Sequence, residues 1–148
     1  KNNELVPFPQ NCYKFMRSIP GNDRCIDCGS FDSEWASISY GILICLSCSG
    51  RHRSLGVHIS KVRSTKLDHW SRDQILNMLE GGNSQLHSFF ARHCMVADGQ
   101  GQVEMLRKRY RTKASKFYRD GLQSHIQGVS RMGDYYGREA SRSTLGRK

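Results

Sequence analysis

The chain has 148 residues, a length that suits one compact domain with a single core. Its hydrophobic content of 37% and its longest apolar run, residues 42–46, argue against a second core and exclude a helix that crosses a bilayer. The formal net charge of +10, from 23 Lys and Arg against 13 Asp and Glu, predicts an acidic partner, whether nucleic acid, anionic lipid or an acidic or nucleotide-bearing protein. The first residues lack the apolar segment of a signal peptide, so we expect a reducing, cytoplasmic location.

The first half of the chain predicts one helix and a small sheet. Residues 1–9 should be extended, and a short helix should follow with one apolar face, formed by Cys12, Phe15, Met16 and Ile19. Alternation of bulky and small residues from Trp35 to Tyr40 predicts a strand that Gly41 ends, and residues 42–45 predict a second strand. A helix over 49–55, closed by Gly56, and a strand over 57–62 are expected next.

The second half predicts mainly helices. Ser71 and Gln74 have the spacing of a capping box, and Asn83 is predicted to cap the helix that follows Gly82. An amphipathic helix is expected from about 103 to 126. The fold class is therefore α+β, a small antiparallel sheet with a four-cysteine zinc finger surrounded by about five helices. We divide it into an N-terminal extension (1–9), the zinc-finger domain (10–127) and a flexible basic tail or linker (128–148).

Four of the six cysteines form two Cys-x2-Cys knuckles with sixteen residues between them, and these are Cys25, Cys28, Cys45 and Cys48. This spacing is typical of one tetrahedral Zn²⁺, and four protein ligands leave no open position, so the ion should be structural. Two disulfides are the alternative, and His52 or His58 could replace one cysteine. Cys12 and Cys94 stand apart and are predicted to be free thiols.

The residues around and after the second knuckle carry the most specific pattern. Cys48 is followed by Ser49-Gly50-Arg51-His52-Arg53-Ser54-Leu55-Gly56-Val57-His58, and the other matching residues are Asn22, Trp35-Ala36-Ser37, Val62-Arg63-Ser64, Leu67-Asp68-His69-Trp70, Gly82-Asn83, Tyr110, Ala114, Tyr118 and Arg119. This pattern resembles the ArfGAP family over about residues 10–125. The knuckle spacing is similar to that of the family, and no motif position departs from its pattern.

The resemblance implies a GTPase-activating protein for GTP-bound Arf-type small G proteins. In it, Arg53 acts in trans as an arginine finger, so the hydrolysis site belongs to the partner and the chain is not itself an enzyme. It also implies regulation of vesicle traffic, with peripheral association at Golgi or other vesicle membranes. We expect a monomer that binds no nucleic acid.

Supporting roles are predicted for other residues of this region. Asp68 either braces the finger loop or caps the helix before Ser71, and Trp35 either supports the loop or packs in the core. Arg51, Lys61 and Arg63 are expected to contact the partner. His52 and His58 are interpreted as structural histidines.

Two other functions compete with this interpretation. A basic chain with a four-cysteine finger also suits a nucleic-acid reader of the GATA type, and an interaction module could carry zinc without any catalytic effect. Seven positive charges between Arg107 and Arg119, with no negative one, fit either a solvated helix face or an anionic membrane surface.

Overall fold

The computed structural model describes residues 4–93, 95 and 108–145. Six α-helices have both ends within these ranges: α1 (Gln10–Ser18), α2 (Leu46–Leu55), α3 (Arg72–Glu80), α4 (Asn83–Arg92), α5 (Lys113–Arg131) and α6 (Arg138–Leu145). Five short strands accompany them: β1 (Val6–Pro7), β2 (Trp35–Ser37), β3 (Ile42–Ile44), β4 (Val62–Ser64) and β5 (His69–Trp70). The predicted α+β class is confirmed. None of the described helices has the length and apolar character that a membrane span needs.

The strands form two antiparallel sheets where the sequence predicted one. β3, β2 and β4 lie side by side in that order, and β1 pairs with β5. In the larger sheet Trp35 is opposite both Ile44 and Ser64, while Ala36 is opposite Leu43 and Arg63. Because successive side chains of a strand point to opposite faces, these two rows lie on opposite faces of the sheet.

The core has layers on both faces of the larger sheet. One cluster contains Ile42 and Ile44 together with Phe90, Tyr110 and three of the knuckle cysteines. The other contains Ala36 and Leu43 with residues of α1 and α3, including Met16 and Met78. All three residues of β3 are fully buried, so this strand holds the two layers together.

Two predicted strands differ from the structure. The strand from Trp35 ends at Ser37, and Ile38–Tyr40 forms a 3₁₀ turn that Gly41 closes with a φ of 64°. The strand predicted over 57–62 begins only at Val62, since residues 57–59 form a turn in which the Ile59 amide donates to the Gly56 carbonyl. Alternation in short segments does not distinguish a strand from a turn that buries every second residue.

The predicted start of the helix over 103–126 is also wrong. Residues 103–107 lie outside the described ranges. The chain turns at Tyr110–Thr112, and Thr112 caps α5 by accepting a hydrogen bond from the Ser115 amide at 3.0 Å. A threonine at this position favours a new helix start over continuation of a helix. α5 then runs five residues beyond the predicted end, to Arg131.

Residues 128–148 were expected to form a flexible tail, but among the described ones 128–131 and 138–145 are helical, and the segment contacts α3. Glu80, which is fully buried at the end of α3, accepts hydrogen bonds from His125, Tyr135 and Ser141. Arg138 donates to the carbonyls of Leu79 and Gly81, at the C-terminal end of the same helix. The Gly, Ser and Arg content of this segment suggested a linker. The sequence alone does not show that side chains of the segment donate hydrogen bonds to the buried carboxylate of Glu80.

Candidate metal centre and arginine site

The two knuckles are built by different local structures. The first is a tight turn in which the Cys25 amide donates to the Ser30 carbonyl, and Gly29 has a φ of 81°. The second is the first turn of α2, where Cys45 is the N-cap and its sulfur accepts from the Cys48 amide at 3.4 Å. The amide of Ile26 donates to the carbonyl of Leu43, which joins the first knuckle to β3 just before the second one.

The four sulfur atoms form a cluster that fits a metal ion. The sulfurs of Cys25, Cys28, Cys45 and Cys48 all lie within 4.8 Å of one another. A tetrahedral ion with bonds of about 2.3 Å requires sulfur–sulfur distances of about 3.8 Å, and Cys28 and Cys45 are 3.6 Å apart. The five described cysteines, Cys12 included, are free thiols, which excludes the disulfide alternative for the knuckles. Cys94 lies outside the described residues.

The environment of the cluster favours one thiolate, at Cys25. A hydrogen bond from Cys48 lowers the pKa of Cys25 to about 5, while the same hydrogen bond raises the pKa of Cys48. The cluster also lies at the N-terminal end of α2, where the backbone amides carry partial positive charge. One negative charge is therefore easily held there, and the remaining thiols need a cation to ionise.

Arg53, the predicted finger, lies near the C-terminal end of α2. Its side chain is exposed, and its guanidinium carbon is 5.4 Å from the ring centroid of Trp35 on β2. Among the described residues it forms no ion pair with a carboxylate. The arrangement leaves an oriented cation at the surface, with its charge free for a partner.

A buried polar cluster holds α2 against the first knuckle. Asp27, between the two cysteines of that knuckle, accepts hydrogen bonds from His52 of α2 at 2.7 Å, Arg109 at 2.7 Å and the Tyr110 hydroxyl at 2.6 Å. The other ring nitrogen of His52 lies 2.8 Å from the Ser60 hydroxyl. Because both nitrogens of His52 are engaged and the ring is buried, this histidine has a structural role and is not a metal ligand.

The charges of this cluster stabilise one another. Burial alone would raise the pKa of Asp27, but the hydrogen bond and charge of His52 and the charge of Arg109 hold that pKa below its usual range. Arg109 is itself buried and lies 4.4 Å from the ring centroid of Phe90. The knuckle, the helix that carries Arg53 and the start of the C-terminal helical region therefore share one network.

Asp68 does not cap α3, and its carboxylate is engaged in the turn that follows β4. Its carboxylate accepts a hydrogen bond from the Ser64 amide at 2.7 Å, which closes the turn between β4 and β5. The cap of α3 is instead the reciprocal box of Ser71 and Gln74, as predicted. Since Ser64 is opposite Trp35 in the sheet, Asp68 fixes the strand next to the ring on which Arg53 lies.

The three residues predicted to contact a partner are not brought together. Arg51 is exposed and donates to the Cys48 sulfur at 3.5 Å, so it lies beside the metal centre. Lys61 lines a separate cleft with His58 and Arg119. Arg63 is opposite Ala36 and therefore lies on the face of the sheet away from Trp35.

Sequence reasoning missed the roles of Asp27, Arg109 and Tyr110 in this site. One signal was present, because an aspartate between two metal ligands is a costly neighbour for thiolates unless a cation compensates it. Arg109 was counted in a basic run interpreted as a solvated helix face or a membrane-facing one, and its burial depends on a contact with a residue 82 positions earlier.

Three comparisons with known proteins place the chain in a family. A family model described as "Putative GTPase activating protein for Arf" matches residues 10–127. ADP-ribosylation factor GTPase-activating protein 3 of Macaca fascicularis is 44% identical over 121 residues, which are 80% of this chain and 22% of that protein. Arf-GAP with coiled-coil, ANK repeat and PH domain-containing protein 3 of Homo sapiens is 49% identical over 79 residues, 53% of this chain and 10% of that protein.

A solved structure from Cryptosporidium parvum, described as a "putative GTPase activating protein for ADP ribosylation factor", has a similar fold. It matches with a TM-score of 0.68 and 33% identity, over 78% of this chain and 89% of that one. The chain thus spans about a fifth of the length of the first relatives and most of the length of this structure. The matched region contains both knuckles, α2 and the Asp27 cluster, and on this evidence the chain belongs to the ArfGap family.

Proposed function

We propose that this chain is the catalytic domain of a GTPase-activating protein for Arf-type small G proteins, with Arg53 as an arginine finger. One observation carries the proposal. An exposed guanidinium lies over Trp35 on a helix whose first turn contributes two of four clustered cysteines. Surface arginines are common, but an arginine that lies over an aromatic ring, on a helix anchored at its start by two of the cysteines, has less conformational freedom to lose.

The physical role of such an arginine follows from the charge that develops during GTP hydrolysis. Negative charge spreads over the phosphoryl oxygens in the transition state, and a guanidinium inserted from outside supplies a fixed fork of donors at that place. Fingers of this kind accelerate hydrolysis by about 10³–10⁵. The nucleotide and the attacking water belong to the Arf protein, so the chain acts in trans as an activator.

Zinc is the proposed metal, with one structural ion held by the four cysteines. The donor set of four thiolates suits Zn²⁺, and it leaves no coordination position for a substrate. When bound, the ion fixes the start of α2. The role of the site in the reaction is therefore to limit the motion of Arg53, which lies eight residues after Cys45.

The partner is proposed to be GTP-bound Arf, met by a monomer at the surface of Golgi or other vesicle membranes, where it would regulate vesicle traffic. The exposed and half-exposed cations Arg51, Lys61 and Arg63 are proposed to attract it, since complementary charge mainly raises the rate of association. Because Arg63 lies on the other face of the sheet from Trp35, we expect its effect to be the smallest of the three.

The decisive test measures single-turnover GTP hydrolysis by Arf with the wild type, Arg53→Ala and Arg53→Lys. We expect both variants to lose at least about a thousandfold in stimulation, because a lysine ammonium does not reproduce the guanidinium fork. Arg131→Ala, which removes an exposed arginine at the end of α5, is the matched control and should retain full activity. Stimulation by Arg53→Ala equal to the wild type would contradict the finger, and sequence-specific DNA binding without any stimulation would favour the nucleic-acid alternative.

A further inference from the structure

A cleft of about 490 Å³ opens between α3, α4, α5 and α6, on a part of the molecule that the proposed activity does not use. Its lining includes Arg92, Phe117, Tyr118, His125 and Arg142. No lining residue belongs to α2 or to the three-stranded sheet, which carry Arg53 and Trp35. A ligand in this cleft would therefore leave the arginine site uncovered.

The charge of the cleft is positive. The Arg92 side chain is exposed and has no hydrogen bond or ion pair among the described residues. The Arg142 side chain donates to the neutral backbone carbonyl of Glu80 and to the Gln85 amide oxygen. Glu80, the one carboxylate among the described lining residues, is fully buried and already accepts three hydrogen bonds. Little negative charge is left at the surface of the cleft to neutralise its arginines.

The electrostatic environment of Tyr118 reflects the same arginines. Burial raises the pKa of the Tyr118 hydroxyl, and a hydrogen bond with Gln85 and the charges of Arg138, Arg142 and Arg92 oppose that rise. All three guanidinium groups are thus close enough to stabilise a negative charge in the cleft. The nearby carboxylate of Asp120 is paired with Lys116 at 2.6 Å.

An aromatic ring stands at the edge of this basic cleft. Phe117 is 74% exposed, although it lies on a helix with a well-formed apolar face. Lys113 lies one turn earlier on the same face of α5 and is also exposed. An exposed aromatic side chain next to basic ones is the pattern of proteins that lie on a membrane, where the ring enters the interface and the cations meet the headgroups.

We propose that the cleft and Phe117 form a docking surface for an anionic phospholipid bilayer. A headgroup phosphate lies between Arg92 and Arg142, and the ring of Phe117 enters the interface beside it. The observations favour a bilayer over a soluble phosphate compound, because binding a phosphate in solution gives no reason for an exposed phenylalanine at the rim. They favour a bilayer over an acidic protein because, among the described residues of the lining, the only exposed large apolar side chain is this single ring.

The proposal does not depend on the GTPase-activating function and can be tested without a G protein. The metal-loaded chain is mixed with phosphatidylcholine vesicles that either contain or lack phosphatidylserine, and the bound fraction is measured by sedimentation. The variants are Phe117→Ser and Arg92→Gln. Their matched controls are Phe31→Ser, a phenylalanine that is 70% exposed elsewhere and lies beside Arg24, and Arg131→Gln.

We expect the wild type to bind the anionic vesicles and to bind neutral ones much more weakly. Arg92→Gln should lower the partition coefficient about fivefold and Phe117→Ser about tenfold, with the controls unchanged and all melting temperatures equal. Equal binding to neutral vesicles, or equal losses in test and control variants, would overturn the proposal. It would also be overturned if inositol hexakisphosphate bound the wild type and Phe117→Ser alike while neither bound anionic vesicles, since the cleft would then take a soluble phosphate.

Discussion

Asp27 connects the first knuckle to the helix that carries Arg53. Its carboxylate compensates the buried guanidinium of Arg109 and fixes the ring of His52, the residue directly before Arg53. The Nε atom of Arg109 has no hydrogen-bond partner among the described residues, so Asp27 is the main compensation for this charge. Removing a charge partner in the interior is costly, because the other charge stays buried.

Asp27→Asn is therefore expected to lower the free energy of unfolding of the metal-loaded protein by about 3 kcal/mol or more. Tyr110→Phe removes one hydrogen bond to the same carboxylate and should cost about 1–2 kcal/mol. Urea unfolding monitored by circular dichroism measures both. Asp32→Asn, at an exposed aspartate a few residues later, is the control and should change stability by less than about 0.5 kcal/mol. If all three variants were equally stable, the cluster would not hold α2 in place.

Residue by residue, the sequence predicted the parts of the site that local spacing determines. The four cysteines follow from the two Cys-x2-Cys turns, and their clustering is confirmed. Arg53 and Trp35 came from a family resemblance, and the contact between them is visible only in the structure. Asp27, Arg109 and Glu80 were missed because their roles arise from contacts between residues far apart in the chain.

At the scale of elements, some of the boundaries fixed by capping side chains and glycines were predictable. The box of Ser71 and Gln74 begins α3, and Gly56 ends α2. The prediction that Asn83 caps α4 was wrong, because Gly82 occupies the cap position and the Asn83 side chain points into the core. Its amide group bonds instead to the backbone of β3 and of the segment before the first knuckle.

The Asn83 side chain joins α4 to two other segments through an amide group whose oxygen and nitrogen are both hydrogen-bonded. Its oxygen accepts from the Leu43 amide, and its nitrogen donates to the carbonyls of Gly21, Arg24 and Leu43. Asn83→Asp keeps the shape but removes the donors and buries a charge, so we expect it to destabilise the fold more than Asn83→Ala does. The expected losses are about 4 kcal/mol or more and about 2–3 kcal/mol respectively.

Thermal and urea unfolding of the two Asn83 variants distinguish this role from a capping role. At a helix cap, aspartate is as good as asparagine, and Asn83→Asp would be nearly neutral. Ser84→Ala, at the exposed neighbouring position on the same turn, is the control for helix propensity. An Asp variant as stable as the wild type would mean that the core contact contributes little.

At the scale of the whole molecule, the contacts converge on the region between the knuckles and the C-terminal helices. β3 is buried on both faces, the Asp27 cluster lies beside it, and Glu80 binds the segment that follows α5. The polar composition therefore does not prevent a continuous fold, because several buried charges have partners. Part of the positive charge that remains outside lies at the arginine site and in the basic cleft.

Removing the metal tests how much of this fold depends on the four thiolates. Structural zinc in small finger peptides contributes about 10–16 kcal/mol, which is as large as the net stability of a typical domain. A strong chelator should therefore unfold residues 22–58, because the first knuckle is a turn of few backbone hydrogen bonds and α2 begins within the second. α5 buries Leu122, Ile126 and Val129 against Leu76 of α3, so we expect hydrogen exchange to rise first in the knuckles and α2 and later in α5. Restored protection after Zn²⁺ is returned, with no restoration by Mg²⁺, would show that the site needs an ion that prefers sulfur ligands. Unchanged exchange throughout the chain after complete chelation would mean that the protein interior, and not the metal, holds Arg53 in place.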